Sequence, residues 1–303
     1  MRTRWLLPID RDITPIKSIF RTKILFSVGG LGNQLFIFNF AHKLIERGAT
    51  KVVIFSNWHR GNRERSFQLE PIKSNCRHKI SFSDSQFLYK ACRILIRVVS
   101  VINFNFMLPK TLKIYIEGRV KSCNNFENYM IFSGYFQDTS FFPKNPFFLD
   151  EFGATVIDSY DKLSTSLQDQ FLHSFQAIHI RRGDYISHSA TFGILATDYF
   201  SKQLKEDLPL LVLSEENLNH AFVNNSKSLL QIPDSFAPWQ LMSVLSKATF
   251  LAGSNSTFSF WPAFYIASQG REASIPTPWF KNHPEYRPNL NGHGLTSYPA
   301  VWE

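Results

Sequence analysis

The sequence predicts an α/β protein whose parallel sheets fall into two halves, and three observations carry that expectation. Residues 23 to 57 read as strand, glycine loop, helix and strand, the outline of a βαβ unit. Residues 175 to 186, FQAIHIRRGDYI, read as a β-branched buried strand that stops abruptly at two arginines. Between them the Pro- and Phe-rich stretch FFPKNPFFLDEFG, residues 141 to 153, marks a junction. At 303 residues the chain is long enough for two medium domains, each with a sizeable core.

The basic lead-in, residues 1 to 22, has an apolar run at Trp5 to Leu7 that is too short for a signal h-region or a membrane span. Its Asp10-Arg11-Asp12 spells a metal-binding DxD but precedes the first strand instead of following one, so a solvated loop is expected. The first strand is expected over 24–28, with a glycine loop at Gly29, Gly30 and Gly32. A helix over 34–47, stopped by Gly48, leads to a strand over 52–55, with a right-handed crossover. A dinucleotide fingerprint needs a third glycine where Leu35 stands and an acidic residue where Ser56 and Asn57 follow the strand, so NAD is disfavoured. What remains is a loop whose backbone can approach a ligand, with the Asn33 and Gln34 amides at a helix N-terminus. Tight strand-to-helix packing is the plainer use of such glycines.

Residues 59 to 65, HRGNRER, form a basic cluster best read as a solvated loop. Residues 91 to 109 are apolar, but Arg93 and Arg97 interrupt them and argue against a membrane span. An amphipathic helix packed on the domain is expected there, with peripheral membrane contact as the alternative. Strands over 113–117 and 130–133 follow, the second running into Gly134-Tyr135-Phe136-Gln137. Aromatics and an amide at a sheet edge suit a sugar or a base, and equally a core.

In the second half, a helix over 160–171 leads to the strand that delivers Arg181 and Arg182 to its carboxyl edge, where open α/β sheets bind ligands. Two guanidiniums with His179 before and Asp184 after form a clamp for an anion such as a diphosphate. An ordinary ion pair of either arginine with Asp184 is the alternative. A helix over 198–206, a strand over 210–213, helices after Glu215 and over 239–246, and a strand over 249–252 complete the alternation. Gly253-Ser254-Asn255-Ser256-Thr257 then caps a helix and gathers hydroxyls and free N–H groups at a second anion site.

Thirty-three Lys and Arg against 24 Asp and Glu give a net charge of +9, which favours anionic partners: nucleotides, nucleic acid or an anionic membrane. Nucleic acid is disfavoured because the arginines sit at strand ends, not along a face interleaved with aromatics. Cys76, Cys92 and Cys123 are odd in number and widely spaced, which indicates neither a disulfide framework nor a zinc site and fits a reducing compartment.

GGLGNQLF (29 to 36), SGYFQ (133 to 137), HIRRGDY (179 to 185), TDYF (197 to 200), LVLSEE (211 to 216), the run from Pro238 to Tyr265 and TPWF (277 to 280) are collinear. Together they resemble the bacterial α-1,2-fucosyltransferases over most of residues 23 to 280. The resemblance implies a GT-B architecture, two facing Rossmann-like domains with the active site in the cleft. The expected division is residues 23 to 150 on the acceptor side and 151 to 303 on the donor side. It further implies GDP-β-L-fucose as donor, inverting transfer, and the 2-hydroxyl of a galactoside as acceptor, in one form a lipid-linked oligosaccharide at the cytoplasmic face of the membrane.

By matched position, Arg181 and Arg182 hold the β-phosphate region, His179 and Asp184 orient the strand end or touch the nucleotide, and Ser256 and Thr257 bind phosphate. Asn33 reaches across to fucose or the acceptor hydroxyl. Gly30, Gly32, Gln34, Glu215 and Asn255 complete the expected donor site, and Arg181, Asp184 and Asn33 are the expected catalytic group. No metal or other cofactor is expected, because arginines and a helix dipole can meet the leaving diphosphate. Three departures from the family pattern stand out: Phe192-Gly193 where a His-Gly pair is usual, Glu215-Glu216 for an Asp pair, and Pro238-Trp239 where an acidic residue is common.

Overall fold

The computed structural model describes residues 21–56, 66–73, 79–102, 113–118, 126–144, 147–225, 228–233, 235–282 and 294–303. Asp10-Arg11-Asp12, the cluster at 59 to 65, Cys76 and Cys123 lie outside the described residues.

Short β-branched and aromatic segments build the first sheet: β1 (Thr22–Phe26), β2 (Lys51–Phe55), β3 (Ile80–Ser83), β4 (Lys113–Ile116) and β5 (Tyr129–Ser133). The order is β3-β2-β1-β5-β4, parallel throughout, with Leu25 opposite Ile54 and Ile24 opposite Ile131. Its strands alternate between two cores: Leu25, Val52 and Ile54 face one, Phe26, Phe55 and Ile114 the other. Helix α1 (Leu31–Glu46) packs on the first face. After the short α2 (Glu70–Lys73), α3 (Gln86–Ile102) covers the second face through Tyr89, Cys92, Leu95, Ile96 and Val99.

The second sheet comprises β6 (Gln176–Ile180), β7 (Leu210–Ser214), β8 (Leu229–Leu230), β9 (Phe250–Gly253), β10 (Glu272–Thr277) and β11 (Thr296–Pro299). Its order, β11-β10-β9-β6-β7-β8, is again parallel. Counted from its own first strand this is 3-2-1-4-5-6, the dinucleotide-domain order. The chain therefore has the expected α/β architecture of two Rossmann-like halves with a cleft between them. A Rossmann order does not require NAD; here it supplies a sheet edge.

The expected junction at 141 to 153 runs into a helix, which starts at Phe147. Pro143 and Pro146 hide a helical spacing, Phe148, Phe152, Val156 and Tyr160, and all four are buried on α4 (Phe147–Asp161). The short α5 (Thr165–Gln170) follows, so the single helix expected over 160–171 becomes the end of one and the whole of another. Helices α6 (Gly183–Ser187), α7 (Ser189–Phe192) and α8 (Thr197–Ser201) are short, and the helix expected after Glu215 is a 3-10 turn at Asn219–Asn225. Helices α9 (Pro238–Lys247) and α10 (Thr257–Ser268) join α1 and α4 in a middle layer, and one continuous core runs through that layer from Leu25 of the first sheet to Ala273 and Ile275 of the second.

The seam is aromatic. Trp261 lies 4.6 Å from Phe36 and 4.8 Å from Phe148 between ring centroids, and its indole N–H donates to the Gly32 carbonyl at 2.8 Å. Each such buried ring contributes about 1.5–3 kcal/mol. The two halves are thus fixed to one another by packing at the root of the cleft.

Candidate functional site

In an open parallel sheet, a ligand crevice forms outside the carboxyl ends of two adjacent strands whose connections diverge, at the point where the strand order reverses. In the second sheet that point lies between β6 and β9, and in the first between β1 and β5. The loops after all four strands meet around one cleft of about 1520 Å³.

At the second sheet's switch point, β6 is buried along its whole length. Alternation sets the rest: Ile178 and Ile180 enter the outer core, while His179 and Arg181 face the cleft. The β9 loop is stitched to β6 by the Ser254 N–H, which donates to the His179 carbonyl at 3.0 Å, and by Ser254 Oγ at 3.3 Å from His179 Nδ1. Ser259 Oγ donates to the carbonyls of Ser254 and Ser256, both at 3.1 Å, and Ser256 caps α10 by accepting from the Phe258 N–H at 3.2 Å. The result is a rigid helix N-terminus whose Ser256, Thr257 and Phe258 line the cleft. Burial, reinforced by the Arg181 charge, lowers the His179 pKa from 6.5 to about 3. Its imidazole is therefore neutral and poorly basic, a hydrogen-bonding strut beside the charge.

Arg181 is held by two carboxylates, Asp184 at 2.7 Å and Glu215. Glu215 also accepts from the Arg182 N–H at 3.2 Å, which ties the strand end to the β7 loop. The ion pair with Asp184 is thus formed, by Arg181. A guanidinium has five N–H groups, and two engage these partners. Tyr185 stands beside it, with the guanidinium carbon 5.8 Å from the ring centre; burial pushes the phenol pKa up, and its O–H donates to the Asn255 carbonyl at 2.9 Å.

Three expected donor residues lie elsewhere. Arg182, one residue out of phase with Arg181, shares the opposite face with Ile180 and pairs with Glu216 at 3.0 Å and with Glu303. Asn255 is buried beneath its loop, where its amide donates to the Phe192 carbonyl at 2.9 Å. Gln34 is wholly buried one turn into α1; its amide donates to the Gly29 and Ser66 carbonyls, both at 2.9 Å, and accepts from the Gln68 N–H at 2.9 Å. Each is a structural tie, and the short polar loops that they pin carry the cleft-facing groups.

On the first sheet's edge, α1 begins at Leu31, three residues before the expected start, so Asn33 belongs to its first turn. Gly29 has φ +73, a left-handed conformation that favours glycine. Gly30 is open to the cleft, whereas a Cβ on Gly32 would lie 2.3 Å from the Thr257 backbone. Gly32 is therefore the point where the helix N-termini of the two halves touch. The Gln137 amide donates to Asn33 Oδ1 at 3.0 Å, a bridge across the β1/β5 switch point. Beneath it Glu117 accepts from the N–H groups of Tyr135 at 2.6 Å and Phe136 at 3.0 Å, holding Phe136 at φ 54. Burial raises the Glu117 pKa, and the two backbone N–H groups oppose the rise.

Gly30, Gly32, Asn33, His179, Arg181, Asp184, Glu215, Ser256 and Thr257 thus share the cleft, joined by Tyr135, Gln137 and Trp279. Sequence reasoning did not find Glu117. Its only signal is an acidic residue closing the strand beside the GYFQ turn. Among the described residues, no group of three His, Cys, Asp or Glu side chains is placed to hold a metal ion.

No protein-family model matches the chain. The O-antigen biosynthesis glycosyltransferase WbnK of Escherichia coli is 32% identical over 123 residues, 34% of this chain and 38% of WbnK, so the alignment spans well under half of either protein. The chain is also similar to the solved structure of NodZ alpha-1,6-fucosyltransferase co-crystallized with GDP, with TM-score 0.44 at 11% identity over 81% of this chain and 93% of that one. For POFUT1 in complex with GDP-fucose the TM-score is 0.43 at 11% identity, over 84% of this chain and 98% of that one.

Proposed function

We propose that this chain is an inverting, metal-independent glycosyltransferase that moves L-fucose from GDP-β-L-fucose to the 2-hydroxyl of a galactose residue in a surface glycan. The observation that carries the reading is the convergence of two switch points on one cleft. An arginine and a helix N-terminus face it from one sheet, and a pair of neutral amides faces it from the other. The resemblance of the collinear motifs to the bacterial α-1,2-fucosyltransferases supports the donor and the linkage, and the partial similarity to an O-antigen glycosyltransferase supports a surface-polysaccharide acceptor.

In that reaction the bond between the fucose anomeric carbon and the β-phosphate oxygen breaks as the acceptor oxygen attacks from the opposite face. Negative charge grows on the departing diphosphate. The free N–H groups of Arg181 and the positive end of α10 at Ser256 and Thr257 meet it. Asp184 and Glu215 fix the guanidinium plane before the donor arrives, so that little reorganisation accompanies the step. Asn33 and Gln137 orient fucose or the acceptor from across the cleft. An oxocarbenium-like transition state requires only late loss of the acceptor proton, so the poorly basic His179 need not serve as general base.

Thermal unfolding with GDP, UDP or homopolymeric RNA tests the donor class, since a ligand that prefers the folded state raises the midpoint. GDP at a hundredfold excess over its dissociation constant is expected to add about 2.7 kcal/mol, with UDP weaker and RNA inert. A larger shift with UDP would assign another nucleotide sugar; a shift with RNA alone would reject the transferase reading.

A further inference from the structure

We propose that helix α3 (Gln86–Ile102) docks the protein onto an anionic phospholipid bilayer. The inference does not rest on the transferase reading. Amphipathic helices of soluble domains hide their apolar stripe, but α3 carries two. Tyr89, Cys92, Ile96 and Val99 pack on the first sheet. Phe87, Ala91, Ile94 and Val98, at spacings of four, three and four, form a second ridge that faces outward, with Phe87 80% and Ile94 63% exposed. Leu88, 52% exposed, extends the ridge toward the core side.

Charge selects the occupant. Lys90, Arg93 and Arg97 run along the flank of the apolar ridge, and no acidic residue lies between 86 and 102. Lys90 and Arg97 are exposed, and Arg93 bonds through Nη1 to the Tyr89 hydroxyl at 3.2 Å. An apolar ridge bordered by cations matches a bilayer surface, where side chains enter the acyl boundary and cations meet lipid phosphates. A second copy of the chain is the poorer match, because the same face of the partner helix offers no acidic residue to meet Lys90 and Arg97, and antiparallel pairing sets the two basic flanks side by side. No helix among the described residues is long and apolar enough to cross a membrane, so the contact is one of lying on the surface.

The test is co-sedimentation of the full chain with vesicles of phosphatidylcholine alone or mixed equally with phosphatidylglycerol, at low and high salt. Binding is expected to the mixed vesicles only and to weaken with salt. Lys90→Gln and Arg97→Gln should each reduce partitioning about fivefold. Phe87→Ser with Ile94→Ser should abolish it at an unchanged unfolding midpoint, because both side chains are exposed. Failure of the wild type to bind mixed vesicles, or undiminished binding by the serine variant, would overturn the proposal. So would a concentration-dependent dimer in sedimentation velocity that the serine variant dissolves.

Discussion

Replacing Arg181 with alanine is expected to lower transfer about 100- to 1000-fold, the usual loss when one preorganised donor to a developing charge is removed. Unfolding should change by no more than about 1 kcal/mol, because the ion pairs broken are solvent-accessible. The informative control is its neighbour. From the sequence the two arginines are equivalent, but Arg182 points to the other face and pairs with Glu216 and Glu303. Arg182→Ala should therefore lower transfer less than about tenfold, well short of the loss of a direct phosphate contact. Steady-state transfer assays on both variants, with urea titrations alongside, check the pair. Equal losses would contradict the assignment of the clamp to Arg181 alone.

Gly32→Ala is expected to damage stability and activity together. The added Cβ would lie 2.3 Å from the Thr257 carbonyl carbon and 2.5 Å from the Phe258 nitrogen, both backbone atoms that cannot swing aside. Overpacking of this kind costs about 1–3 kcal/mol. The same displacement moves the N-terminus of α10, which carries Ser256 and Thr257, and an error of about 1 Å in a positioned group costs about 100-fold in rate. Gly30→Ala separates the two effects. Gly30 has φ −74, and a methyl group added there would meet nothing within 4 Å, so this variant should unfold like the wild type. Urea midpoints that fall equally for both variants would contradict the seam at Gly32.

The legible parts of the fold were those that local patterning dictates. The strands at β1, β2, β6 and β9 and the helix after the glycine loop follow from apolar runs and breakers, and the observed ends differ by a few residues. Helix α4 was obscured because its flanking prolines read as linker, although its buried residues keep a four-residue spacing. Strands β3, β10 and β11 are not legible because Ser, Pro and Thr dilute them; only pairing of β3 with β2, of β10 with β9 and of β11 with β10 identifies them as strands. In the site, residue types were legible and directions were not. Arg181 and Arg182 are separated by strand phase, but both faces of β6 are buried, so the sequence alone does not say which face turns to the cleft. Gln34 and Asn255 could not be told from ligand-binding amides, because their partners come from loops at Ser66 and Phe192. Glu117 acts on a turn 18 residues away, and no local pattern links them.

The most direct measurement is fucosyl transfer itself: purified protein with GDP-β-L-fucose and a panel of β-galactosides in EDTA, with GDP release followed and the product linkage assigned by NMR. The predicted result is acceptor-dependent GDP release that yields Fucα1-2Gal without added metal. Transfer to a different hydroxyl would contradict the linkage, and restoration by a divalent cation would contradict metal independence. Absence of both GDP binding and release would contradict the donor site at the β6/β9 switch point.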